Sequence, residues 1–97
     1  MMRKPRILTM SSANMDILLR LNAIPRAGET VIEGNDYSYQ PGGKGANAAV
    51  AAARLGADSV FATRLGNDLN GRMLMKFYED NGIDTRFIVS DPDEKTG

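Results

Sequence analysis

The chain has 97 residues, in which 12 basic and 12 acidic side chains cancel, and it contains neither cysteine nor histidine. That length allows one small domain, and the missing cysteine and histidine exclude disulfides, thiolate metal sites and thiol or imidazole catalysis, leaving carboxylates and lysine for acid–base chemistry. No basic run follows Arg3-Lys4-Pro5-Arg6, and the apolar residues after it are too few for a secretory or membrane segment, so the expected protein is cytoplasmic, with no nucleic-acid or membrane partner.

Arg6 to Met10 is a short apolar run between Pro5 and Ser11-Ser12, which predicts a buried strand opening an α/β unit. Asn14-Met15-Asp16-Ile17-Leu18-Leu19-Arg20 follows and begins by alternating polar with apolar side chains. An extended backbone there puts Asn14 and Asp16 on one face, where they can either grip adjacent hydroxyls or form a solvated turn. Ile24-Pro25-Arg26-Ala27-Gly28 is a turn. Glu29 to Glu33 and Asn35 to Gln40 are half-polar and β-prone, as expected of a sheet with one wet face.

Gly42 to Gly56 (GGKGANAAVAAARLG) runs from a glycine corner into an alanine-rich helix. Gly42, Gly43 and Gly45 allow backbone angles and close approaches that a Cβ forbids, and Lys44 and Asn47 bring donors to the helix mouth, where backbone amides are unpaired. The alternative is a plain turn before a buried helix. The helix is apolar almost all round, which predicts close packing on a sheet, and Gly56 is placed to end it in a left-handed conformation.

Asp58 to Leu65 predicts a second core strand, so a helix lies between two buried strands and a parallel crossover follows. Ligands of open α/β sheets sit beyond the carboxyl ends of such strands, where Ser11 to Asp16 and the glycine corner both arrive. Gly66-Asn67-Asp68-Leu69-Asn70-Gly71 offers N-capping side chains, and Met73, Leu74, Phe77 and Tyr78 recur at helical spacing as core. Gly82 caps that helix, Thr85 to Ser90 predicts a further strand, and Asp91-Pro92-Asp93-Glu94 is a polar turn before Lys95-Thr96-Gly97.

Gly43 to Ala48 formally fits the G-x-G-x-x-A dinucleotide fingerprint, but the preceding Asp36-Tyr37-Ser38-Tyr39-Gln40-Pro41 is polar and closed by proline where an apolar strand is required. A G-x-x-x-x-G-K-[ST] phosphate loop also fails, because Gly45 follows Lys44.

The run GGKGANAAVAAARLGA, followed by Gly66, Asp68 and Gly71 and preceded by Asn14-Met15-Asp16 and by Pro25 to Val31, resembles the ribokinase branch of the ribokinase-like (PfkB) carbohydrate kinases. The resemblance spans nearly the whole chain. It implies a ribokinase-like α/β fold: an open parallel sheet with flanking helices, core strands at about 6–12 and 58–65, and a small β lid at about 14–41 and again from about 85. It also implies ATP-dependent phosphorylation of a pentose, ribose to ribose 5-phosphate, with Mg²⁺ and a monovalent cation, in a homodimer paired through the lid. Under it, Asn14, Asp16, Gly42, Gly43, Lys44, Gly45 and Asn47 contact the sugar. The family's catalytic base is an aspartate in a late GAGD-type segment with no counterpart here, so no catalytic residue is assigned. Residues 1–97 are then expected to be the amino-terminal third of one kinase domain. The rival expectations are a non-catalytic sugar-binding or oligomerising fragment, and another ribokinase-like sugar or nucleoside kinase.

Overall fold

The computed structural model describes residues 4–31 and 36–97. The elements in chain order are β1 (Arg6–Met10), β2 (Asn14–Arg20), β3 (Asp36–Gly42), α1 (Lys44–Arg54), β4 (Asp58–Gly66), α2 (Leu69–Asp80) and β5 (Ile88–Asp91). They form two sheets, a parallel one in the order β1-β4-β5 and an antiparallel ribbon of β2 and β3. The parallel pairing of β1 with β4, from Arg6 opposite Asp58 to Met10 opposite Ala62, is the expected crossover product.

The core forms where both helices meet one face of the parallel sheet. Helix α1 buries Ala46 with Ala49 and Val50, three and four residues on, and α2 buries Gly71, Leu74 and Tyr78, at steps of three and four. Phe61 of β4 meets the Tyr78 ring edge-on at 5.3 Å, and buried Ser59 donates to the Ala49 carbonyl at 2.8 Å, so strand and helix share a satisfied polar link. Both helices end as expected, with Gly56 at φ 97° and Gly82 at φ 76°.

The expected close packing of α1 on the sheet is observed on one face, where small alanines make close approach possible, while Ala48 and Ala51 are exposed although the helix is apolar almost all round. The opposite face of the sheet is open, which corrects the expectation of a buried first strand: four of the five residues of β1 are exposed. Leu8 and Met10 are 59% and 79% exposed there, in a groove bordered by Arg6, Val60, Ala62 and Phe87.

Two further expectations change. Thr85 to Phe87 are not strand, because Asp84 accepts from the Arg86 backbone (3.1 Å) and guanidinium, and Ile88 N–H bonds back to Thr85 at 3.1 Å, making a turn. The resulting β5 pairs parallel with β4, so it extends the core sheet and is not a lid strand from residue 85. Glu29 to Val31 form no strand either; Glu29 closes a turn on Arg26, donating N–H to its carbonyl (3.0 Å) and accepting its N–H on the carboxylate (2.8 Å). The remainder of that expected strand, residues 32–35, lies outside the described residues.

Candidate functional site

Antiparallel pairing sorts the ribbon's side chains by face. Asn14 stands opposite Gly42, and Asp16 opposite Gln40, so these four share a face, while Met15, Ile17, Leu19, Tyr37, Tyr39 and Pro41 make up the other. At the base of the polar face the Asn14 amide donates to the Asp16 carboxylate at 2.5 Å. The solvated-turn alternative for Asn14 and Asp16 is therefore excluded, since both lie within β2.

The three glycines of the corner explain how the pair is seated. A Cβ on Gly42 would lie 2.7 Å from Asp16 Cγ and 2.9 Å from Asn14 Nδ2, so the pair occupies the space that a side chain at 42 would take. Gly43 has φ 100°, a left-handed angle that side chains disfavour, and its Cβ would lie 3.0 Å from the Ser12 carbonyl and 3.2 Å from Asn14 Oδ1. A Cβ on Gly45 would overlap the Ser11 side chain. All three thus let the corner press against one segment, Ser11 to Asp16, and two stretches distant in sequence meet at one place.

Gly43 is also the N-cap of α1 and offers no capping side chain. The first helical bond runs from Asn47 N–H to the Gly43 carbonyl at 2.9 Å, so the amides of residues 44 to 46 precede it and have no partner within the helix. Lys44 and Asn47 are exposed on this first turn, and among the described residues neither side chain has a hydrogen-bond partner. The structure thus brings Asn14, Asp16, Gly42, Gly43 and Gly45 into direct proximity. It leaves Lys44 and Asn47 beside them without a contact to the pair, Asn47 bordering a surface depression with Pro41 and Val50.

A second polar centre adjoins this corner. Asp68 caps α2 by accepting from Gly71 N–H at 2.8 Å, and also accepts from Thr96 N–H at 2.8 Å and Thr96 Oγ1 at 2.7 Å. These donors, the Thr96 amide foremost, hold its carboxyl below the usual carboxylate range. The cap was legible from spacing; the Thr96 contacts, 28 residues away, were not. Burial pushes the Tyr78 hydroxyl up to about 12, and that oxygen has no hydrogen-bond partner. Among the described residues no three histidine, cysteine, aspartate or glutamate side chains gather to hold a metal ion. Nor is any described helix long and apolar enough to cross a membrane.

Comparison with known proteins agrees with this architecture. The chain is 40% identical over 96 residues to a ribokinase of Haemophilus influenzae, a match covering 99% of this chain and 31% of that protein. It is 41% identical over 70 residues to Fructokinase-1 of Oryza sativa subsp. japonica, covering 72% of this chain and 22% of that one. A crystal structure of ribokinase from Cryptococcus neoformans in complex with ADP superimposes with a TM-score of 0.76 at 34% identity, over 97% of this chain and 29% of that one. The chain therefore spans less than a third of the length of these relatives, and its fold is ribokinase-like. The description of the pfkB family carbohydrate kinases matches residues 4–97, and the chain belongs to that family.

Proposed function

We propose that this chain carries the sugar-binding part of an ATP-dependent carbohydrate kinase that acts on a pentose, with ribose giving ribose 5-phosphate. The observation that carries the reading is the Asn14–Asp16 pair seated over Gly42 beside the open amino terminus of α1. A carboxylate that accepts only, next to an amide that donates and accepts, matches neighbouring ring hydroxyls, and Lys44 and Asn47 add donors from the helix turn. The relatives named ribokinase favour ribose; the similarity to a fructokinase keeps other sugars as outcomes of the test.

Asp16 serves as an ionised anchor in this reading, not as the base. ATP, Mg²⁺, a monovalent cation and the base that accepts the sugar hydroxyl proton belong to parts of a longer polypeptide, and ATP supplies the phosphoryl group when bound. The 97 residues alone are inactive on this view, and the protein is cytoplasmic. The apolar ribbon face with exposed Ile17, Leu19, Tyr37 and Tyr39 supports a homodimer formed through the ribbon.

The test is calorimetric titration of ribose and of ATP into the kinase polypeptide that carries these residues. Asp16→Ala is expected to weaken ribose binding about ten- to a hundredfold, the value of a lost charge-assisted hydrogen bond, and to leave ATP affinity unchanged. Equal weakening of both ligands would overturn the assignment.

A further inference from the structure

We propose that Asp68 and Thr96 form a clasp that fixes the Asn14–Asp16 pair in place, which makes Asp68 a positioning residue for the sugar site; this rests on the reading of that pair given above. A helix cap needs one acceptor for one amide, and serine or threonine can supply it. Asp68 accepts three hydrogen bonds across both carboxylate oxygens, two of them from Thr96. The Thr96 hydroxyl in turn accepts the Gly66 N–H at 3.0 Å, so it ties the end of β4 as well.

The packing leaves no slack around this hydroxyl. A Cβ on Gly66 would lie 2.6 Å from Thr96 N, and one on Gly71 would lie 2.9 Å from Thr96 Oγ1. The next residue completes the path: the Gly97 carbonyl accepts the Met15 N–H at 2.8 Å. Met15 is buried and stands between Asn14 and Asp16 in β2. The clasp therefore holds the outer edge of β2 at the one point where its two polar side chains emerge, while β3 holds the inner edge. Without it, the backbone at the base of β2 is hydrogen-bonded along one edge only, and the Met15 side chain alone ties it to the core.

The test uses Thr96→Val, which removes the hydroxyl at near-constant volume, Thr96→Ser, which restores it, and Asp68→Asn, which can still cap α2 but cannot accept on both oxygens. In steady-state assays of the kinase polypeptide with ribose and Mg·ATP, Thr96→Val and Asp68→Asn are expected to raise the ribose KM about tenfold while kcat and the ATP KM stay within about twofold. Thr96→Ser is expected to return the ribose KM to within about threefold of the parent. Combined with Asp16→Ala, Thr96→Val is expected to add little further loss, because it acts through the pair. Full additivity, or an unchanged ribose KM in Thr96→Val, overturns the proposal.

Amide hydrogen exchange separates the clasp from the sugar reading. Thr96→Val is expected to speed exchange at Met15 at least about tenfold and leave Phe61 unchanged. If the parent binds no sugar, the functional reading falls, and the clasp is judged on this exchange alone; unchanged exchange at Met15, or equal acceleration at Phe61, overturns it.

Discussion

The parallel unit and the ribbon hold themselves together by different means. In the parallel unit, Phe61, Leu74 and Tyr78 are fully buried between strand and helices, and truncating any of them leaves a cavity. In the ribbon, only Met15 near the base reaches the core, and the strands above it rest on backbone pairing with their apolar residues open to solvent. The candidate site sits at the seam, borrowing rigidity from the unit and accessibility from the ribbon. A ligand site built this way has its precision set by a few glycine contacts and its stability set elsewhere.

The largest effect that tests this division is in the core. Phe61→Ala is expected to cost about 3 to 5 kcal/mol, enough to unfold a small domain, as read by chemical denaturation. At the seam, Gly45→Ala drives a methyl into Ser11 and is expected to cost about 1 to 3 kcal/mol while weakening sugar binding, measured by the same denaturation with a ribose titration. A fold and affinity both unchanged in Gly45→Ala would show that the corner is not pressed against Ser11.

Acid gives an effect of intermediate size. Asp68 and Asp84 both have folded pKa values below those of free carboxylates, Asp84 at about 2 through the Arg86 guanidinium. Folding therefore favours their ionised forms, and that stability is complete above the unfolded value near 4 and is lost as pH falls through the folded one. Unfolding monitored between about pH 5 and pH 2 should show this loss, and Asp68→Asn should flatten its share.

In the core again, Tyr78→Phe deletes a buried hydroxyl without a partner and is expected to be neutral or stabilising by about 1 kcal/mol in thermal unfolding. The smallest effect belongs to the ribbon. Ile17→Lys is expected to change monomer stability by no more than about 0.5 kcal/mol and, under the proposed homodimer, to abolish self-association in sedimentation; a large loss of stability would show that the ribbon face packs within the chain.

What the sequence disclosed follows the same division. The existence of β1 was legible because Pro5 and Ser11-Ser12 bracket an apolar run, though its burial was not, and the brief polar–apolar alternation at Asn14 to Asp16 left β2 open between a strand and a turn. The fold class and the meeting of residues 11–16 with the glycine corner followed from strand, helix and strand order. The start of β5 was misplaced because the Asp84–Arg86 contact makes a turn within a β-prone run, and propensity does not register an ion pair two residues apart. The role of Gly42 was legible only in part: its space is filled by Asn14 and Asp16 from the partner strand, which no local pattern shows. Thr96 gave no signal, since its partners lie in a turn reached only after the sheet has formed.

The register of the ribbon also bears on how quickly the chain can find its fold. Joining Arg6 to Asp58 directly requires closing a loop of 52 residues, a slow search with little to reward it before completion. Once Asn14 lies opposite Gly42, most of that loop is already bridged, and only the short connection from β1 and the span of α1 remain to be ordered. Each halving of the open loop lowers its closure cost by about 0.6 kcal/mol. The hairpin that presents the candidate site thus also works as a shortcut for the chain, so substitutions that loosen its base should slow refolding even where the finished structure tolerates them.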